Sequence, residues 1–104
     1  MKIQINRERG VFRYDEEGQI KDYPILEGSK RKNLIVELYN NDARGASDLC
    51  RTLSYNDAPL LCREINEVNK RFREGLEVEN DLIVHLPAGG YKLNWDMFDI
   101  ELKP

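Results

Sequence analysis

The segment Leu82-Ile83-Val84-His85-Leu86-Pro87-Ala88-Gly89-Gly90-Tyr91-Lys92-Leu93 constrains this chain more than any other. An apolar run, a bend carrying two glycines and an apolar return make the pattern of a β-hairpin. A strongly patterned stretch precedes it. From Asp57 to about Gly75, Leu61, Ile65, Val68 and Phe72 fall within about 60° of one another at 100° per residue, the stripe of a helix packed on a core. Projected the same way, Arg63 and Lys70 point almost directly away from that stripe. Asn66, Glu67 and Glu74 share the outward face, and Asn69 and Arg73 flank it. Such a chain presents one helix and one hairpin on the same side.

Two more helices are expected upstream. Ser29 can cap one running from Lys30 to about Tyr39, with Leu34, Ile35, Leu38 and Tyr39 on its apolar face and Asn40-Asn41-Asp42 at its end. A second, with Ser47 as cap, carries Ala46, Leu49, Cys50 and Leu53 at helical spacing up to Leu53. Ser54-Tyr55-Asn56-Asp57 then turns the chain, with Asn56 or Asp57 capping the long helix and Pro59 in its first turn, where no N–H is needed. Before all of these, Ile3-Gln4-Ile5, Val11-Phe12-Arg13-Tyr14 and Gln19-Ile20-Lys21-Asp22-Tyr23 read as short strands. The turn signal Asp15-Glu16-Glu17-Gly18 separates the last two, and Pro24 closes a small antiparallel sheet. At the other end, Phe98, Ile100 and Leu102 alternate with acids at strand period. That strand can complete the N-terminal sheet or pair with a neighbouring subunit and build a homodimer.

Length and composition narrow the function classes. The chain has 104 residues, 40% hydrophobic and 34% charged, which fits one globular domain. Its formal charge of -3 excludes a general polycation, so nucleic-acid binding requires a locally basic face. No apolar run approaches the roughly 20 residues of a membrane span, and Met1 to Glu8 lacks a secretory apolar stretch. Two cysteines, Cys50 and Cys62, and one histidine, His85, lack metal-site spacing. A reduced cytoplasmic setting without metal or other cofactor is the simplest expectation. The carboxylates show no acid–base pairing pattern, His85 lies in a hairpin, and Gly89-Gly90 is not followed by a helix as a phosphate loop requires. Neither an enzyme nor a small-molecule substrate is expected.

Helix, turn, helix and hairpin, with a cation on the returning strand, is the layout of a winged helix-turn-helix, an α+β fold. The chain resembles the winged-helix effector domain of OmpR/PhoB-type transcriptional regulators. The resemblance rests on the Leu61, Ile65, Val68 and Phe72 stripe, the basic run Asn69-Lys70-Arg71-Phe72-Arg73 and the hairpin ending Ala88-Gly89-Gly90-Tyr91-Lys92-Leu93. It covers about residues 1–94. It departs where the family carries mid-helix arginines, for which this chain has Asn66 and Glu67, and in the tail that follows the hairpin. The resemblance implies a sheet at 1–26, a three-helix core at 29–76 and a wing at 82–94; with the extra strand at 95–104 read from its alternation, a single winged-helix domain over residues 1–104 is expected. It also implies a bacterial regulator binding double-stranded DNA.

On that reading the long helix enters the major groove with Arg63, Asn66, Asn69, Lys70 and Arg73 as reading or anchoring residues, and Lys92 touches the adjacent backbone. The cations Lys30, Arg31 and Lys32 oppose the dipole of their helix and invite an anionic neighbour. The competing expectation is a winged-helix protein-interaction or assembly module that binds no DNA.

Overall fold

The computed structural model describes residues 1–15, 18 and 20–103. The described elements are β1 (Lys2–Asn6), β2 (Gly10–Tyr14), β3 (Ile20–Pro24), α1 (Lys30–Asn40), α2 (Ala46–Leu53), α3 (Ala58–Leu76), β4 (Ile83–His85), β5 (Tyr91–Leu93) and β6 (Asp99–Lys103). The α+β class expected from the sequence is therefore present. Of the turn expected after β2, Glu16, Glu17 and Gln19 lie outside the described residues, while Gly18 N donates to Asp15 O at 3.1 Å.

The sheet corrects the sequence-based expectation. It is not a purely antiparallel N-terminal unit but a four-stranded mixed sheet in the order β3-β2-β1-β6. The first three strands pair antiparallel, and β6 runs parallel to β1 with Ile3 opposite Ile100 and Ile5 opposite Leu102. Of the two partners open to the last strand, the chain's own β1 takes it. The reason is burial: Ile3 and Ile5 are enclosed at 0% and 1% exposure, and a fourth strand gives β1 hydrogen bonds on both edges. Polar contacts fix the register. Gln4 Nε2 donates to Glu101 at 3.0 Å, and Lys2 pairs with the same carboxylate at 3.3 Å. Just ahead of β6, Phe98 meets Phe72 of α3 edge to face at 5.4 Å, so the tail belongs to the core.

The helices form for the reasons their sequences give. Ser29 Oγ accepts from Lys32 N at 3.2 Å at the start of α1, and Asp57 accepts from Leu60 N at 2.8 Å at the start of α3. The cap expected of Ser47 is a correction: α2 begins at Ala46 behind an extended Gly45, and no side chain caps it. Leu34, Ile35, Leu38, Leu49, Leu61, Ile65, Val68 and Phe72 are all buried between the helices and the sheet. Where α3 ends on β3, a Cβ on Gly75 would come within 2.9 Å of the Asp22 carbonyl oxygen, so the approach depends on glycine. Arg13 closes that end by donating to the carbonyls of Leu76 and Glu77 at 2.8 and 3.1 Å.

Strands β4 and β5 form a separate two-stranded hairpin. Arg44, in the connection between α1 and α2, bridges to Tyr91 with backbone bonds of 2.9 and 2.8 Å, adding a third edge to it. Gly90 makes this possible: its φ is 97°, and a Cβ there would meet the Arg44 carbonyl at 2.9 Å. Among the described residues no helix is long and apolar enough to cross a membrane.

Candidate nucleic-acid interface

Helix α3 supplies most of the side chains singled out by the sequence, and its packing sorts them into three groups. Arg63, Asn66 and Lys70 are exposed on one stripe. Neither cation makes an ion pair among the described residues. Because β6 lies beside β1 and not across α3, the tail leaves this stripe open. Glu74 lies on the same face and is also exposed. Glu67 is engaged by Arg71 at 2.8 Å, and that hydrogen bond holds its carboxyl below the usual range. The open stripe is thus governed by Arg63, Lys70 and Glu74, with a small positive excess.

Asn69 is different. It is buried, its Nδ2 donates to Ile83 O at 2.9 Å, and its Oδ1 accepts from Ile83 N at 2.9 Å. The reading role expected of it is corrected: both ends of the amide are committed to the first residue of β4. A buried asparagine matched on both sides to a backbone N–H and C=O is a clamp, because releasing it would strand three polar groups. Asn94 extends the clamp, donating to Asp81 O at 2.9 Å. In projection Asn69 flanks the outward face of α3, between that face and the apolar stripe. That position was the available sign that it packs, but nothing in the sequence named Ile83 as its partner.

The remaining two expected contacts are engaged by carboxylates. Arg73 pairs with Asp81 in the link to the hairpin, and Lys92 on β5 lies 3.7 Å from Asp96. Both are half-buried. The structure therefore brings Arg63, Asn66 and Lys70 together on one open face, and sets Asn69, Arg73 and Lys92 along the junction between α3 and the hairpin. A cleft of about 370 Å³ lies in that junction, with Cys62, Asn66, Asn69, Asp81, His85 and Tyr91 around it. The His85 and Tyr91 rings sit 5.0 Å apart.

The cation run at the start of α1 separates into three directions. Lys30 Nζ donates to Ser54 O at 3.0 Å and sits 5.3 Å from the centre of the Tyr55 ring. Arg31 pairs with Glu64 of α3 at 3.1 Å, which answers the anionic neighbour the sequence called for. Lys32 is 3% exposed and donates to the Arg7 carbonyl, and its burial lowers its pKa. Among the described residues, no cluster of three or more His, Cys, Asp or Glu could hold a metal ion. Comparison with known proteins found no matching family model, no matching characterised relative and no matching solved structure.

Proposed function

We propose that this chain is a winged helix-turn-helix DNA-binding module that acts in transcriptional regulation, similar in plan to the OmpR/PhoB-type effector domain. The observation that carries the reading is the open stripe of α3, where Arg63 and Lys70 stand on either side of Asn66 without an ion pair among the described residues. The chain order supports it: α1, a bridging residue at Arg44, α2, α3 and then a hairpin locked to α3 through Asn69. In the mechanism, α3 enters the major groove. Arg63 pairs with guanine edges, Asn66 with adenine, and Lys70 holds a phosphate. Asn69 contributes by fixing the angle between helix and hairpin. Arg73 and Lys92 reach phosphate only by exchanging Asp81 and Asp96 for it.

The test is a duplex-binding titration at several salt concentrations. Binding falls steeply with salt, since each phosphate contact releases counterions. Lys70→Ala lowers the log–log slope by about 1. Replacing Arg63 and Lys70 together by alanine weakens binding about tenfold or more. Absence of any shift with random duplex at low salt, at protein concentrations in the tens of micromolar, sinks the reading. The net charge of -3 and the carboxylate partners of Arg71, Arg73 and Lys92 then favour a protein-interaction module.

A further inference from the structure

A second place in the molecule is chemically incomplete. Tyr23 on β3 is only 5% exposed, and its enclosed hydroxyl meets no acceptor for its proton among the described residues. It lines a pocket of about 350 Å³ together with Ser29, Lys30, Arg31, Glu64 and Arg71, against an apolar wall of Pro24, Ile25 and Leu26. The pocket opens on the start of α1. There Ser29 Oγ takes the N–H of Lys32, Ser29 O takes that of Asn33, and the backbone N–H groups of Lys30 and Arg31 meet no acceptor among the described residues.

The missing partner of Tyr23 can be identified by type. Its phenol is protonated at neutral pH, as any tyrosine is from an ordinary 10.0, and burial pushes its pKa further up, so the hydroxyl needs an acceptor for its proton. The Arg31 guanidinium reaches the phenol oxygen and, with that of Arg71, opposes the rise, but a guanidinium only donates. The nearby carboxylates are already used, Glu64 by Arg31 at 3.1 Å and Glu67 by Arg71 at 2.8 Å. What is lacking is an acceptor. It would sit where three cations and one carboxylate line the pocket and the dipole of α1 favours negative charge. We propose that this pocket is an oxyanion site, seating a phosphate or carboxylate oxygen between the Tyr23 hydroxyl, the first N–H groups of α1 and the guanidiniums of Arg31 and Arg71. The oxyanion can come from a nucleic-acid backbone or from a free anion. The site stands independently of the DNA reading.

The experiment follows the backbone N–H signals of Lys30 and Arg31 by NMR in the isotope-labelled full chain. Inorganic phosphate and then acetate are titrated at constant ionic strength set with chloride. Saturable shifts at these two amides are expected with at least one of the anions. Tyr23→Phe fills the same space, so it folds, and it weakens binding by about tenfold or more through loss of a hydrogen bond to a charged group. Arg71→Ala weakens binding as well. The double variant of Arg63 and Lys70 keeps it, which separates failure here from failure of the DNA reading. A short duplex distinguishes the sources. Shifts at the same amides that phosphate competes away assign the oxyanion to nucleic acid. Duplex that leaves those amides unmoved assigns it to a free anion. Linear, non-saturating shifts with both anions up to tens of millimolar, or undiminished binding by Tyr23→Phe, overturn the proposal.

Discussion

On the flank of α3 that faces the hairpin, Asn69 buries an amide whose donor and acceptor both meet the backbone of Ile83. On the flank that faces α1, Tyr23 and Tyr55 bury hydroxyls that meet no acceptor among the described residues. All three residues are buried, so exposure does not separate the flanks. The difference lies in whether each buried polar group is matched. A matched group fixes geometry, and here it fixes how the hairpin stands against the helix. An unmatched one costs free energy in the isolated chain and persists only where something else explains it. The hairpin side reads as finished structure, and the α1 side as structure awaiting a partner.

The largest expected effect tests the matched side. Asn69→Ala removes both hydrogen bonds and leaves the N–H and C=O of Ile83 buried without partners. Unfolding in urea should show a loss of about 2–5 kcal/mol. Asn66→Ala, one turn away but solvent-exposed, should change stability by less than about 0.5 kcal/mol. Similar losses for the two would erase the distinction between clamp and open face.

The next effect is read through pH. Burial, aided by Glu64, pushes the Tyr55 phenol up to about 12 from an ordinary 10.0. The folded protein therefore holds this proton at pH values where the unfolded chain has released it. The stability it contributes is complete below pH 10 and is lost as pH climbs toward about 12. Two pKa units correspond to about 2–3 kcal/mol. Other groups titrate in the same window, so the informative quantity is the stability of wild type minus that of Tyr55→Phe, measured at each pH. That difference should fall by this amount across the window; a flat difference would mean the phenol is solvated.

A smaller and opposite effect is expected at neutral pH. Tyr23→Phe and Tyr55→Phe each delete an unpartnered hydroxyl while preserving the ring. In chloride buffer each should leave stability unchanged or raise it by up to about 1 kcal/mol in thermal or urea unfolding. Destabilisation of about 1 kcal/mol or more would show that a matched group had been removed, and the two flanks would then be alike.

These contrasts were only partly visible in the sequence. The stripe of Leu61, Ile65, Val68 and Phe72 was legible because helical burial repeats every 3.6 residues, and the structure buries all four. The caps Ser29 and Asp57 were legible because capping is local. Partners across long separations were not. The alternation at residues 98–102 announced a strand but not its neighbour, and Gln4 meets Glu101 across 97 positions. Adjacent cations misled for a related reason. Lys30, Arg31 and Lys32 form one cluster on paper, yet a turn of about 100° per residue sends them to Ser54, Glu64 and Arg7. Arg63 and Lys70, seven positions apart, share a face. The orphaned hydroxyl of Tyr23 left no trace in the sequence, since only the folded surroundings decide whether a phenol has a partner.

The smallest expected effect on stability belongs to the face that carries the proposed function. Arg63 and Lys70 are exposed, form no ion pair among the described residues and stand opposite the apolar stripe. Removing both side chains should therefore shift the urea midpoint by less than about 0.5 kcal/mol in free energy. A residue that contributes nothing to folding but strongly to duplex affinity is one whose role lies outside the molecule, and the double variant separates these two quantities in a single protein. Loss of affinity with unchanged stability places the function on the open face of α3. Loss of stability would mean that the two cations support the fold, and the contrast between the open face and the clamped one would have to be redrawn.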